Sequence, residues 1–497
     1  MLNARSIQGI LILSFGLIIA VWLGLSIVTN QTETLIQIAG AAVLITAIFL
    51  GRRVWLLFIF FAAINVVLIP GISTTELGQM IFLTFSGALF LMRKLRMRIN
   101  FGEMEVWALL VIACIVQAYM RNPVGLNILG GGSVGGRPYI VMILSISSAA
   151  VLSTLLMDAK ELKWAMYLTL IAGFLGIPGT MLRYGSVRTS EEGYDRIPSL
   201  SSLSAILGRW LVSRISPLGA CFNPFWALVL LISVASAAGS GYRNSVASLG
   251  LILILGIFYR GGGFAVFASL FSGAVLLLLL ALINLNFPLP GNIQRALSPF
   301  PGTWEKQYRQ AADDSTEWRV EMWKEALLSE RWIHNKVLGD GIGMTMAQYQ
   351  GNAFADSRMG GRAASGLLVQ QENMLTNGSY HSGPVHSIRA VGYVGLVILL
   401  LAMIRVAVHA HRQIIRCRGT EWYGVALFFG IPIITHPFFF TLIFGEYQTG
   451  VAGLTMAIAM IRLMENNLPL PAWQKKVYQP YILGRHSGTS HASKQSA

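Results

Sequence analysis

The feature that most limits the fold of this chain is a series of apolar runs, each long enough to cross a hydrocarbon core of about 30 Å. They fall near residues 8–28, 34–50, 54–70, 75–92, 103–120, 138–157, 163–182, 222–239, 244–259, 263–285, 390–408, 422–442 and 447–465. A weaker run at 199–217 is interrupted by Arg209 and Arg214. Of the 497 residues, 54% are hydrophobic and 12% charged, about half the charged share of a soluble domain. The chain therefore reads as an all-α polytopic membrane protein, a bundle of about 12–14 transmembrane helices.

The net charge of +15 would suggest nucleic acid in a soluble chain. Here it sits in short loops beside apolar runs, where it sets orientation. With a cytoplasmic N-terminus, the loops after the second, fourth and sixth spans carry Arg52 and Arg53, then Arg93, Lys94, Arg96 and Arg98, then Lys160 and Lys163. Loops 29–33 and 71–75 on the other side carry neither Lys nor Arg. Counting 199–217 as a span lets Arg209 and Arg214 snorkel toward the cytoplasm and puts Arg260 there. It also puts a loop with His409, His411, Arg412, Arg416 and Arg418 inside, and residues 286–389 outside. This arrangement has about fourteen spans and both termini cytoplasmic; thirteen or twelve result if the shortest runs are re-entrant.

Four regions follow: a transmembrane bundle at 1–285, a helical external loop domain at 286–389, C-terminal helices at 390–467, and a polar tail at 468–497 expected to be disordered. The first run lacks a clear cleavage site and reads as a signal anchor. Cys114, Cys221 and Cys417 have no metal spacing and none lies in the large loop, so no disulfide framework is expected there.

The loop has the marks of a folded unit. Asp314 is placed to cap a helix in which Glu317 completes a capping-box-like pattern. In the helix that follows, Arg319 and Trp323 share a face. Gly339 and Gly341 suit a tight turn. His334, His381 and His386 are three of the chain's eight histidines. The last two precede the return into the membrane, where a neutral imidazole can take a proton from a hydroxyl at ordinary pH. Upstream, Ser240-Gly-Tyr-Arg-Asn-Ser joins two spans on the same external side and holds Arg243 at the membrane face, in a position suited to phosphate.

Each residue also has a plainer reading. Arg243 can be a snorkelling anchor. Arg319 can pair with Glu317 or Glu321, Trp323 can be core, and His334 can be a cap or surface residue. Arg358 and Arg362 fit a solvated loop. His436, inside a span beside Pro437, is either functional or bonded to a freed carbonyl.

Four ordered segments resemble the O-antigen ligase and polymerase superfamily of bacterial lipid-linked polysaccharide transferases, over about residues 197–400. Ser240-Gly-Tyr-Arg is similar to its Ser-Gly-Ser-Arg turn, with Tyr242 in place of Ser. Arg319-Val-Glu-Met-Trp is similar to its Arg-x-x-x-Trp helix. Asn335-Lys-Val-Leu-Gly-Asp-Gly resembles its Asn-Pro-x-x-Gly-x-Gly turn, with Lys336 for Pro. His381-Ser, followed by Gly392-Tyr-Val-Gly, resembles its His-Asn segment and Gly-x-x-Gly motif, with Ser382 for Asn.

The resemblance implies a membrane glycosyltransferase of the C-type class in the bacterial inner membrane. Such an enzyme moves a glycan from undecaprenyl diphosphate, on the periplasmic face, to the hydroxyl of a glycan or lipid A-core acceptor. It implies His381 as general base and Arg243 and Arg319 as holders of the diphosphate, with Tyr242, His386 and Arg389 auxiliary. No nucleotide sugar, metal, other cofactor or nucleic-acid partner is expected. Two readings from other classes stay open: a transporter or flippase for lipid-linked glycan, whose binding residues belong near the bilayer midplane, and a non-catalytic scaffold of a polysaccharide export complex. The transferase reading requires Arg243, Arg319 and His381 to meet in one outward-facing pocket.

Overall fold

The computed structural model describes residues 32–64, 67–69, 72–124, 135–184, 197–298, 301–343, 374–375, 378 and 380–469. These are almost entirely helical, apart from a short antiparallel ribbon of Val67–Ile69 (β1) and Ile72–Ser73 (β2). The helices of the first half are α1 (Thr32–Leu50), α2 (Trp55–Ile64), α3 (Thr74–Leu91), α4 (Glu103–Arg121), α5 (Arg137–Thr154), α6 (Ala159–Tyr184), α7 (Pro198–Arg214) and α8 (Pro224–Gly239). Those of the second half are α9 (Arg243–Asn286), α10 (Gly291–Leu297), α11 (Lys306–Leu328), α12 (Gly383–Cys417), α13 (Tyr423–Phe438) and α14 (Tyr447–Asn467). Among the described residues five helices are long and apolar enough to cross a membrane: α4, α5, α9, α12, and α13 with its π-helical extension to Ile443. The protein is a multi-pass membrane protein. The first apolar run, the polar tail beyond residue 469, and Arg358 and Arg362 lie outside the described residues.

Backbone groups in hydrocarbon must be satisfied within their own segment, which explains the near-exclusive use of helix. Proline at the first turn of α5, α7, α8 and α12 starts a helix without wasting a donor. Ser73 Oγ caps α3 and Asn223 Oδ1 caps α8.

Contacts at the helix termini define two ends of the bundle. At one end α4, α5, α6, α12 and α14 are tied through Arg462 to Glu105, Arg405 to Glu103, and Asn467 to Leu155 O and Met157 N. At the other end Ile197 N donates to Ser240 O, and Tyr447 N donates to His386 Nδ1. The 335–341 turn meets Arg121 and Asn122 there.

Several elements differ from the hydropathy reading. In the run at 54–70 the helix ends at Ile64, and Val67–Ile69 form a strand of the ribbon. The runs at 244–259 and 263–285 form one 44-residue element, α9, broken at Gly262, where φ is 78°. A straight helix of that length would extend about 66 Å. Arg243 and Leu278 nevertheless line one cavity, and α8 touches both α9 and α10, so the chain folds back at Gly262 into a hairpin with two arms. The weak run at 199–217 is helical as α7; Arg209 Nε bonds its own Ala205 O, with the guanidinium 5.2 Å from the Phe428 ring.

Residues 409–417 are not in a loop but on the last turns of α12. Hydropathy ends where the charges begin, whereas the helix continues and anchors His411 to the Tyr259 hydroxyl at 2.7 Å and His409 to Glu103. Asp314 is not at a helix start: it lies inside α11, which starts eight residues earlier, at Lys306. That start is fixed by reciprocal bonds between Gln294 and Glu305, after which good helix formers carry the helix through Asp314.

Candidate functional site

Arg243 owes its position to the serine turn before it. Ser240 is fully buried; its Oγ donates to Ala237 O and accepts from Tyr242 N. Ser240 Oγ also meets Ser245 Oγ at 3.0 Å, and Ser245 Oγ donates to Ser201 Oγ on α7. Gly241 supplies the positive φ (71°) that lets the chain leave α8 and restart as α9 across only three residues. Tyr242 is the N-cap and Arg243 the first residue of α9. A cation at the positive end of a helix dipole opposes the usual preference.

From this position Arg243 Nη2 reaches Thr316 Oγ1 on α11, at 3.2 Å. Thr316 and Arg319 are three residues apart and share a face. Trp323, one turn beyond, donates its indole N–H to Tyr380 O at 2.7 Å. The face predicted for Arg319 and Trp323 thus has two tasks. It aims a guanidinium at the cavity and holds the carbonyl immediately before His381.

His381 has φ of 51°, one of two positive values among the described non-glycine residues. A non-glycine side chain in that region costs about 1–3 kcal/mol and is kept only where its surroundings enforce it. The enforcing groups are the fully buried Tyr380 before it, Ser382 as N-cap of α12 after it, and the Phe444 ring stacked on the imidazole at 5.4 Å. Its Nδ1 is buried and has no hydrogen-bond partner among the described residues. Burial, reinforced by the positive charge of Arg319, pushes the imidazole below its ordinary pKa, so it is neutral at pH 7.

The glycine motifs work as backbone joinery. α12 is broken at Gly392, where φ is 72°. The 335–341 turn fits into the break: Tyr393 N and Val394 N donate to Lys336 O and Val337 O, while Arg389 O and Ala390 O accept from Asp340 N and Gly341 N. A Cβ on Gly392 would lie 2.1 Å from Val337 O, and one on Gly339 would lie 2.5 Å from Val391 N. Asp340 closes the turn through the backbone N–H groups of His334 and Asn335. The loop is thereby locked to the helix whose first turn follows His381.

Arg243, Arg319 and His381, from three distant segments, line one cavity of about 1570 Å³, together with Tyr242. Arg295 lines it as well, a residue absent from the sequence reading. It lies on α10, is 5% exposed, and is held in place by the Gln294–Glu305 pair beside it. The only sequence signal available for it was a single arginine in a short segment after Pro290-Gly291. Below this cationic wall the cavity is apolar, bounded by both arms of α9 and by Phe438, Leu442, Ile443 and Phe444. Pro437 precedes the π-helical turn Phe439–Ile443 that turns these side chains into the cavity.

His386 and Arg389 are not among the residues lining the cavity. His386 Nδ1 accepts the backbone N–H of Tyr447, so it anchors α14, and the guanidinium of Arg389 lies against Gly378. His334 is exposed, 3.6 Å from Asp340. His436 sits inside α13 against Gly453 and Phe440. No cluster of His, Cys, Asp or Glu suited to a metal occurs among the described residues.

Comparison with known proteins adds no constraint: no protein-family model and no curated protein matches the chain.

Proposed function

We propose that this protein is a membrane-embedded glycosyltransferase of the O-antigen ligase and polymerase superfamily, with a bundle of the C-type class. In this reading it transfers a glycan from a polyprenyl diphosphate to an acceptor hydroxyl. The observation that carries the proposal is the shared cavity: two guanidinium groups predicted to hold diphosphate, and the imidazole predicted to act as base, face one space that continues into an apolar groove. A substrate with an anionic diphosphate between a sugar and a long hydrocarbon matches that division.

The acceptor oxygen attacks the anomeric carbon as the bond from that carbon to the diphosphate oxygen breaks. The hydroxyl proton passes to neutral His381. The electron pair leaves with the lipid diphosphate, whose charge Arg243 and Arg319 offset. Charge stabilisation and positioning supply most of such a rate enhancement, because the diphosphate is already a workable leaving group.

The polar wall lies at one end of the bundle, away from the collar of ion pairs that Arg53, Lys163 and Arg462 make with Glu161, Glu421 and Glu105. Transport sites instead sit near the midplane. With the basic end inside, the cavity faces the periplasm and both termini are cytoplasmic.

The test is to incubate the purified protein with a lipid-diphosphate glycan, with and without a lipid A acceptor. Longer lipid-linked chains identify a polymerase, and glycan on lipid A identifies a ligase. Intact donor in both arms, from folded protein, refutes transfer for these substrates.

A further inference from the structure

The hairpin of α9 carries two stripes that line the cavity. On the first arm the stripe runs through Arg243, Ala247, Gly250, Ile254 and Ile257, with Asn244 and Leu251 lining the cavity beside it. That is the three-and-four spacing of a single helix face. On the second arm Leu270, Gly273, Ala274 and Leu278 repeat it. Because the chain folds back at Gly262, the two stripes bound one groove from opposite sides. The groove begins at Arg243 and ends near Ile257, fourteen residues on, a depth of about 21 Å at the rise of an α-helix. That is less than the hydrocarbon core of about 30 Å.

Each arm has a glycine part-way down its stripe. A Cβ added at Gly250 or at Gly273 would meet nothing within 4 Å. Glycine in a helix interior costs about 1 kcal/mol relative to alanine. Neither position has a positive φ or a close backbone neighbour to account for it. Both therefore hold space open inside the groove.

We propose that the α9 hairpin measures the lipid: Gly250 and Gly273 are specificity-determining positions that admit the head-proximal part of a single polyprenyl chain, while the rest of the chain stays in the bilayer. The cationic rim of Arg243, Arg295 and Arg319 fixes the phosphate at the mouth, so the groove starts at the first isoprene unit. This inference rests on the lipid-diphosphate reading but concerns the chain and not the glycan. A hydrocarbon tail gains little by moving from lipid to an apolar wall. Discrimination by the groove is therefore by fit.

The experiment uses the full chain in detergent and two probes without sugar, undecaprenyl phosphate and geranyl phosphate, with affinity read by native mass spectrometry. Gly250 lies about 10 Å below Arg243, so the two-isoprene probe ends near it and the long probe passes it. Gly250→Phe and Gly273→Phe each weaken the long probe by about tenfold or more, the scale of misfit in an apolar pocket. Geranyl phosphate is unaffected. On the wild-type protein, a series of chain lengths gives affinity that rises until the groove is filled and is flat beyond. Equal weakening of both probes, unchanged binding of the long probe, or affinity indifferent to chain length overturns the proposal. Length-dependent binding without glycan transfer leaves the groove standing and removes the transferase reading; transfer indifferent to chain length does the reverse.

Discussion

At the end of the bundle away from the cavity, Arg53, Lys163 and Arg462 each reach a carboxylate on another segment: Glu161 at 3.1 Å, Glu421 at 2.8 Å and Glu105 at 2.6 Å. At the opposite end Arg243, Arg295 and Arg319 converge on one space together with His381. Arg137 bonds Glu76 at 2.8 Å at that same end, outside the cavity wall. Opposite charges placed together hold helices in register. Like charges brought together raise the energy of the protein itself and lower that of an anion entering among them. The difference teaches where to look for chemistry in a membrane bundle: not where charge is densest, but where like charges share a cavity.

The comparison breaks most easily at His381. His381→Ala is expected to lower kcat for transfer by about 10²–10⁴-fold, with the melting temperature in detergent little changed, because alanine keeps the Cβ that makes the backbone position strained. Wild-type turnover from this variant would remove His381 from the chemistry. Next in size is Arg319→Gln, which on the proposed reading removes a charge-assisted contact to diphosphate worth about 1.5–3 kcal/mol. It also removes a positive neighbour of His381. If His381 is the proposed base it works when neutral, so activity rises with pH through the imidazole pKa and is flat above it. Wild-type His381 titrates below its ordinary range because of burial and then Arg319. Without Arg319 the protonated form becomes easier to reach, and the acid limb of kcat/KM moves to higher pH. The deficit of the variant must therefore be larger at about pH 5.5 than at about pH 8; an equal deficit at both would mean that the two groups do not sense each other.

Much of this was legible before the fold, for a physical reason. Hydrocarbon makes polar residues conspicuous, so Arg243 between two apolar runs, and His381 just before another, stand out in a way that they would not in a soluble chain. Arg319 was visible through its spacing from Trp323. Arg295 was not, because it lies on a short polar segment outside the apolar runs, where an arginine is unremarkable, and only the fold-back of α9 brings α10 to the cavity. Nor could hydropathy show that α12 continues past its apolar part to Cys417, since it registers the membrane and not the helix. Asp314 misled for a related reason: an acidic residue before a periodic stretch looks like a cap, but the bonds that start α11 come from Gln294, twenty residues earlier. The twin breaks at Gly262 and Gly392 illustrate both cases. The first divided two runs in the sequence, whereas the second lay within a single run and owes its conformation to the 335–341 turn.

The remaining predictions concern the collar. Arg462 is buried enough to matter: it bonds Glu105 through two nitrogens, at 2.7 and 2.6 Å, and also reaches Glu465. Arg462→Met leaves both carboxylates without their partner, and a loss of about 1.5–3 kcal/mol in stability is expected, read as a lower melting temperature, with transfer per folded molecule unchanged. Lys163 is the smaller case. Its partner Glu421 is 68% exposed, and its own ammonium also lies 4.2 Å from the Trp422 ring. Exposed pairs contribute about 0–1 kcal/mol and are screened by salt. Lys163→Ala is therefore expected to leave the melting temperature within a degree or two, to lose even that effect in high salt, and to leave donor turnover untouched. Because it removes the same formal charge as Arg319→Gln, the two variants together separate net charge from position: a matching loss of transfer in Lys163→Ala would mean that the whole field of the protein draws the donor in, and the distinction between the two ends would fail.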